Sequence, residues 1–148
     1  MFMRVYLDNC CLQRPLDKQT QPRIRVETEA VFAVLAAVQA KDVTLCNSEV
    51  LLYEISRIPD DARRAASLSM LSLADELLVV TQAAETLALS FEEQGLGAVD
   101  ALHLACASLA KVDYFCTCDD RLFRKANSMS GLGCQIISLL NLVVEVSL

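Results

Sequence analysis

The sequence has few of the residues that build linkers and turns, and it has no long apolar run. Only four glycines and three prolines occur among its 148 residues, which leaves little room for a linker or a disordered tail. No stretch of about 18 apolar residues is free of charge, so we expect no membrane-spanning helix. The first residues reach Asp8 too early for a signal peptide. These absences predict one globular domain over residues 1–148.

Basic residues are also in the minority. The chain has 13 Lys and Arg against 19 Asp and Glu, which gives a net charge of −6. Proteins that coat nucleic acid broadly bind it through basic surfaces, so the composition argues against that class. It does not argue against an enzyme that acts on nucleic acid, because bound cations would neutralise several of the acids.

Cysteine is abundant, with seven residues. Their number is odd, and several lie in apolar runs: Cys46, Cys106, Cys116 and Cys134. We therefore expect reduced, buried thiols in a cytoplasmic protein. The short motifs Cys10-Cys11 and Cys116-Thr117-Cys118 are weaker candidates for zinc ligands, because structural zinc sites usually take two pairs of ligands spaced two to four residues apart.

Apolar segments alternate between strand-like and helix-like patterns along the chain. Strands are expected near residues 3–7, 42–46, 76–80, 113–118 and 134–139. Helices are expected near residues 22–40, 48–57, 60–75, 82–94, 98–111 and 119–128. Residues 8–21 are predicted to form a loop, and residues 141–148 an edge strand or a segment packed on the sheet. This order predicts an α/β protein, a three-layer α/β/α fold with a mostly parallel central sheet.

Four acidic residues stand where one apolar element meets the next: Asp8, Glu54, Asp100 and Asp119. Burial of a carboxylate is costly without a counter-charge, and carboxylates that converge repel each other. A cluster of acids therefore usually exists to hold a hard cation, which prefers oxygen ligands. In parallel sheets, ligands bind beyond the carboxyl ends of the strands, and one such edge can collect all four acids. The pattern predicts Mg²⁺- or Mn²⁺-assisted chemistry on phosphate.

Four segments in this order resemble the PIN-domain family, the nuclease fold of VapC-type toxins. They are VYLDN, SEVLLYEI, VDALHLACA and DYFCTCDDRL, and together with the order of elements they cover nearly the whole chain. The resemblance implies a PIN-like fold and an endoribonuclease whose acids bind divalent metal and whose substrate is single-stranded RNA. By position it implies catalytic and metal-binding acids at Asp8, Glu54, Asp100 and Asp119, with Asn9 and Thr117 in support.

The resemblance also bears on partners. VapC-type proteins are toxins of toxin–antitoxin pairs, which implies an antitoxin partner. The stretch CCLQRPLDKQ after Asp8 instead resembles a separate subgroup of PIN proteins, so both cellular roles stay open. The hydrophobic content of 54%, the amphipathic helices and the family resemblance together predict a homodimer.

Two of the four acids have a neighbour that competes for the same role. Ser48 and Glu49 compete with Glu54, but Glu49 lies in a first helical turn, where a carboxylate simply favours the helix dipole. Asp120 competes with Asp119, which the T-x-D match to the family selects. We expect Glu54 and Asp119 to complete the site, directly or through water.

His103 is the only histidine, and it shares a helix face with Asp100. A general base is one interpretation; a buried residue bonded to neighbouring backbone is the one we favour, because the surrounding face is apolar. Six basic residues near the expected rim are candidates for phosphate contacts, or else solvated surface charge: Arg14, Arg23, Arg25, Arg121, Arg124 and Lys125.

Two other classes of protein compete with the nuclease. The first is a PIN-like module that binds RNA or a protein without catalysis. The second is a phosphoacceptor domain built around Asp8. A haloacid-dehalogenase type would need a second Asp where Cys10 stands, and a receiver would need an acid pair after the first strand, whereas Asp119-Asp120 comes late.

Overall fold

Five parallel strands form the centre of the molecule, as a computed structural model describes it over residues 3–148. The strands are β1 (Met3–Leu7), β2 (Val43–Ser48), β3 (Glu76–Leu78), β4 (Tyr114–Cys116) and β5 (Gln135–Ile137). Their order in the sheet is β3-β2-β1-β4-β5, and every neighbouring pair is parallel. Because parallel neighbours need crossover connections, the intervening helices flank the sheet, and the predicted three-layer α/β/α class is confirmed.

Eight α-helices connect and cover the strands in the described part of the chain. They are α1 (Asn9–Gln13), α2 (Pro22–Gln39), α3 (Glu49–Ser56), α4 (Asp61–Leu71), α5 (Gln82–Glu93), α6 (Ala98–Ala110), α7 (Asp120–Asn127) and α8 (Leu139–Ser147). Helix α5 packs on α6, and α2 packs on α8. Among residues 3–148, no helix combines the length and the apolar character that crossing a membrane requires.

The predicted loop at residues 8–21 was wrong, and so was one of the two alternatives for residues 141–148, the edge strand. Residues 8–21 are not simply a loop, because α1 and a 3₁₀ turn (Arg14–Leu16) lie within them. The Asp8 side chain caps α1 by accepting a hydrogen bond from the Asn9 amide, and Leu12 on this short helix is fully buried. Residues 141–148 are not an edge strand, since α8 begins where the Ser138 hydroxyl accepts from the Asn141 amide.

The first strand is the middle of the sheet, and its position determines where the acids meet. Its last three residues, Val5–Leu7, are completely buried, as expected for a central strand covered on both faces. Leu7 lies opposite Cys116 in the register of β1 and β4. The residues that follow these two strands, Asp8 and Thr117, therefore emerge side by side at the carboxyl edge of the sheet.

Candidate active site

Asp8 is a buried carboxylate held by three donors at the end of β1. One oxygen accepts the Asn9 amide at 2.8 Å, and the other accepts the Thr117 hydroxyl at 2.9 Å and the Cys10 thiol at 3.4 Å. Only 6% of the residue is exposed. The Thr117 hydroxyl in turn accepts the Asp119 amide at 3.1 Å. Thr117 thus connects the ends of β1 and β4 and fixes the orientation of Asp8.

Glu54 reaches the same place from α3 and is held by His103. The Glu54 carboxylate lies 2.5 Å from Nε2 of His103, and Nδ1 of His103 lies 2.5 Å from the Tyr6 hydroxyl. The Tyr6 hydroxyl lies 2.6 Å from Ser48, which accepts the Leu51 amide. We name this chain, from Ser48 through Tyr6 and His103 to Glu54, the Glu54 relay.

The donors and acceptors of the Glu54 relay can be assigned in one direction so that every hydrogen has an acceptor. With His103 neutral, Ser48 donates to Tyr6, Tyr6 donates to Nδ1, and Nε2–H donates to Glu54, so every hydrogen is used. No buried side-chain nitrogen or oxygen lacks a partner among residues 3–148. His103 is buried as we expected, but its partners are the side chains of Tyr6 and Glu54 and not the backbone. The relay therefore presents a chain of donors to the Glu54 carboxylate.

Three potential metal-ligating side chains converge at this point. One ligand atom each from Asp8, Glu54 and His103 can be chosen so that all three lie within 4.8 Å of one another. Two of these atoms are carboxylate oxygens, which suit a hard cation. Nε2 of His103 lies 2.5 Å from the Glu54 carboxylate, and in the arrangement described above it donates to this carboxylate. His103 therefore acts as the partner that orients a ligand, an arrangement common around protein metal sites.

Asp100 and Asp119 lie in the adjoining cleft, an open space of about 540 Å³. Asp100 is in the first turn of α6, and Asp119 caps α7 with one oxygen that accepts the Arg121 and Leu122 amides. The cleft is lined by two acids, two basic side chains and four apolar or glycine residues: Asp100, Asp119, Arg121, Lys125, Gly95, Leu96, Gly97 and Leu122. Acids therefore share this cleft with cations that can hold phosphate.

The pKa values of Asp8 and Asp100 are raised, because both acids are at least partly buried and neither forms an ion pair with a Lys or Arg in the described part of the chain. Burial raises the pKa of Asp8 well above its usual value of 3.8. Cys10 and Asp100 act in the same direction, whereas His103 and the hydrogen bond from Thr117 oppose this rise in pKa. Burial also raises the pKa of Asp100, to which the charges of Asp119 and Glu54 add. Among residues 3–148, no Lys or Arg forms an ion pair with Asp8, Asp100 or Asp119. The site thus concentrates negative charge that an added cation would neutralise.

The competing acids lie elsewhere. Glu49 accepts the Val80 amide at 2.7 Å and so fixes the chain after β3. Asp120 forms a two-pronged ion pair with Arg23, at 2.7 and 2.8 Å. Asn9 accepts from the Gln13 side chain at 3.1 Å, next to Asp8 in sequence. Neither Glu49 nor Asp120 lines the cleft.

The basic candidates divide into two groups. Arg121 and Lys125 line the cleft, whereas Arg124, on the same helix, does not. Arg14 is held by Glu27 at 2.8 Å and by Asp17 at 3.3 Å. Arg23 and Arg25 are likewise engaged, Arg23 by Asp120 and Arg25 by the backbone oxygens of residues 19 and 20. Of the six, Arg121 and Lys125 are best placed for phosphate.

The contacts of Tyr6 and Ser48 in the Glu54 relay were not predicted from the sequence. Tyr6 is separated by 97 residues from His103 and by 42 from Ser48, so no local motif connects them. A tyrosine inside an otherwise apolar central strand was the available signal, because a buried hydroxyl needs a polar partner.

The burial of Asp8 leads to a prediction about pH. Because its pKa is raised in the folded state, the folded protein holds this proton more tightly than the unfolded chain. The stabilisation that this proton gives the folded state is complete below the ordinary pKa of 3.8. It is lost as the pH rises through the raised pKa of Asp8 in the folded protein. In chelator, Asp8→Asn should therefore be more stable than wild type at neutral pH, with a flatter pH profile of thermal unfolding. Asp42→Asn, on an exposed residue, should change neither property, and an Asp8→Asn protein less stable than wild type at neutral pH would contradict the assignment.

Comparison with known proteins identifies the family. The model of the PIN domain matches residues 23–128, more than half of the chain, and this span includes Glu54, Asp100 and Asp119 but not Asp8. VapBC2 from Rickettsia felis, solved bound to a DNA fragment from its promoter, is similar in structure, with a TM-score of 0.59, 18% identity, and coverage of 92% of this chain and 98% of that chain.

A second solved structure, PAE2754 from Pyrobaculum aerophilum, is similar with a TM-score of 0.62 and 16% identity over 98% of this chain and 90% of that chain. No curated protein matched in sequence. At these identities the two structures support the fold, and the match to the family model extends that likeness to the sequence. The chain belongs to the PIN-domain family.

Proposed function

We propose that this chain is a divalent-metal-dependent endoribonuclease that hydrolyses phosphodiester bonds in single-stranded RNA. PIN domains are in general nucleases, which supports phosphodiester hydrolysis. The observation that carries the proposal is that Asp8 and Glu54 converge with His103, next to a cleft that holds Asp100 and Asp119. None of these four acids forms an ion pair with a Lys or Arg among the described residues.

The side chains at this edge fit a hard divalent cation. Asp8 and Asp100 would be its direct ligands, and Glu54 and Asp119 would complete the site directly or through water. Oxygen donors of this kind suit Mg²⁺ or Mn²⁺. The raised pKa values of Asp8 and Asp100 are also what a site designed for an added positive charge would show in its absence.

Each group at the site has a task in the proposed reaction. A bound cation would supply charge neutralisation on the phosphate and activation of water. Arg121 and Lys125 would hold the substrate phosphates along the cleft. Thr117 keeps Asp8 oriented, and the Glu54 relay keeps Glu54 oriented. The open cleft and its two cations suit a flexible single strand, which is also what the family resemblance implies.

The test is a cleavage assay with the purified chain and an end-labelled single-stranded RNA. We expect cleavage with Mg²⁺ or Mn²⁺ and none with excess chelator, while duplex RNA and single-stranded DNA of the same sequence should be poorer substrates. Cleavage that survives exhaustive chelation would contradict the metal-dependent mechanism. RNA that is bound but never cut in any metal would instead favour the non-catalytic module.

The partners of the chain also belong to this proposal. VapBC2 is a complex captured on its promoter DNA, and this likeness supports an antitoxin-like partner for this chain. A homodimer is supported by large apolar side chains that stay half exposed, among them Val26 and Phe32 on α2, Tyr53 on α3, and Leu140 and Val144 on α8.

Asp119 and Asp120 provide a sharp comparison within the proposed site. Asp119→Asn removes one charge from the cleft but retains an oxygen that can cap α7, so we expect a large loss of cleavage with little loss of stability. Asp120→Asn breaks an exposed pair with Arg23, and such pairs contribute little. Cleavage rates and melting temperatures of both variants test this. Equal losses of activity would mean that both acids serve the site.

A further inference from the structure

A cluster of thiols lies next to Asp8, on elements that the sheet brings together. The sulfur atoms of Cys10, Cys11 and Cys118 all lie within 4.8 Å of one another. Cys10 and Cys11 are in α1, and Cys118 is in the connection from β4 to α7. A fourth sulfur, on Cys116, lies 4.0 Å from that of Cys11. We name Cys10, Cys11 and Cys118 the thiol cluster.

The spacing of Cys10-Cys11 and Cys116-Thr117-Cys118 made both motifs weaker zinc candidates in the sequence, because the two halves of the cluster are more than 100 residues apart. The expectation of reduced thiols in the core agrees with the structure, where all seven cysteines are free and Cys11 and Cys118 are buried. Ligand spacing along the sequence argues against a zinc site only for cysteines that are neighbours in sequence. Pairing of β1 with β4, extended by the bond from the Asp8 amide to the Cys116 carbonyl at 2.9 Å, places Cys10-Cys11 against Cys118.

The dimensions of the cluster fit a metal ion with sulfur ligands. A Zn–S bond of about 2.3 Å in tetrahedral geometry requires sulfurs about 3.8 Å apart. The three sulfurs are at most 4.8 Å apart. Each sulfur–sulfur distance therefore needs to shorten by about 1 Å or less to reach the spacing that zinc requires. Rotation of the Cys10 and Cys118 side chains, which lie near helix starts and not within a strand, supplies a movement of that size.

The geometry points to a second metal site, in which Cys10, Cys11 and Cys118 bind a thiophilic cation such as Zn²⁺. Soft thiolates select such cations, whereas the carboxylates of the neighbouring site select hard ones. Each thiol that binds releases its proton to solvent, and no oxidation or reduction occurs. The two sites meet at Cys10, whose sulfur lies 3.4 Å from the Asp8 carboxylate and 3.4 Å from the Thr117 hydroxyl. The inference does not depend on RNA cleavage.

The first experiment titrates reduced, metal-free protein with Cd²⁺ as a spectroscopic probe, in excess Mg²⁺. We expect ultraviolet thiolate-to-metal charge-transfer absorption that saturates at one equivalent and that Zn²⁺ displaces. Cys118→Ser should lose this absorption. Cys46→Ser and Cys134→Ser, which remove thiols outside the cluster, should retain it, and so should Asp100→Asn, which separates this site from the carboxylate site. Unchanged absorption in Cys118→Ser would overturn the inference.

The second experiment needs no variant, so it holds even if Cys118→Ser fails to fold. Wild-type protein is alkylated with and without one equivalent of Zn²⁺, and each cysteine is quantified by mass spectrometry. Zn²⁺ should slow the alkylation of Cys10 markedly. Cys134, which is half-buried like Cys10, is the internal control and should react at an unchanged rate. Equal protection of both thiols, or protection of neither, would contradict the site.

Discussion

Asp100→Asn should abolish RNA cleavage while leaving the fold intact. Asn has nearly the same volume as Asp, so the half-buried position in α6 is not disturbed. The substitution removes one unit of negative charge from a site that, in our proposal, holds a divalent cation. A metal ion contributes several kcal/mol to catalysis, and about 1.4 kcal/mol corresponds to tenfold in rate. We therefore expect a loss of about 100-fold or more in the cleavage rate.

The measurement is single-turnover cleavage together with thermal unfolding of the same preparation. Asp42→Asn, an equivalent change on an exposed residue, is the control and should cleave like wild type. Because burial raises the pKa of Asp100, the variant in chelator should melt no lower than wild type at neutral pH. An Asp100→Asn protein with wild-type cleavage would exclude this carboxylate from the site.

The second large effect concerns the Glu54 relay. Tyr6→Phe removes the donor to Nδ1 of His103 and leaves that buried nitrogen without its partner. His103 can then take another tautomer or turn, and the Glu54 carboxylate loses its fixed orientation. Loss of a partner that orients a metal ligand typically costs about 10- to 100-fold in metal affinity or activity. We expect Mn²⁺ affinity, measured by calorimetric titration, to fall by this amount.

Loss of stability alone must be distinguished from loss of orientation, and Ser48→Ala provides the matched control. Both variants remove a buried hydroxyl, and the loss of an α3 cap in Ser48→Ala costs about 1 kcal/mol. Ser48→Ala leaves the contacts from Tyr6 through His103 to Glu54 in place. It should therefore be destabilised as Tyr6→Phe is, yet keep its Mn²⁺ affinity. Equal affinities in Tyr6→Phe and wild type would limit the relay to a structural role.

The sequence predicted the fold well because the strands and the long helices have distinct apolar patterns. The predicted strand at residues 3–7 and the helix beginning at Pro22 match the structure. The segment 141–148 was misinterpreted because its β-branched residues favour strands locally, whereas packing against α2 decides in favour of a helix. Helix α1 was missed because the polar residues of segment 8–21, with Pro15, favour a loop.

The candidate site was also predicted only in part. Asp8 and Asp119 were recognisable because each directly follows an apolar strand pattern. The Glu54 relay was not, because the contact between Glu54 and His103 spans 49 residues and the contact between His103 and Tyr6 spans 97. Contacts of this kind depend on sheet register, which a single sequence does not specify. The two cysteine motifs of the thiol cluster were recognisable, but their proximity was not, since β1 and β4 become neighbours only in the folded sheet.

The central strand β1 is synthesised long before β4, the strand that pairs with it on one side. Its partner β4 lies more than 100 residues later, and the Asp8 carboxylate receives its Thr117 bond across 109 residues. Closing so large a loop carries an entropic cost and slows folding. On the ribosome, Asp8 therefore lacks its Thr117 partner, and the candidate site lacks Asp119, until this part of the chain has emerged. The order of translation thus makes the candidate site one of the later parts of the domain to assemble.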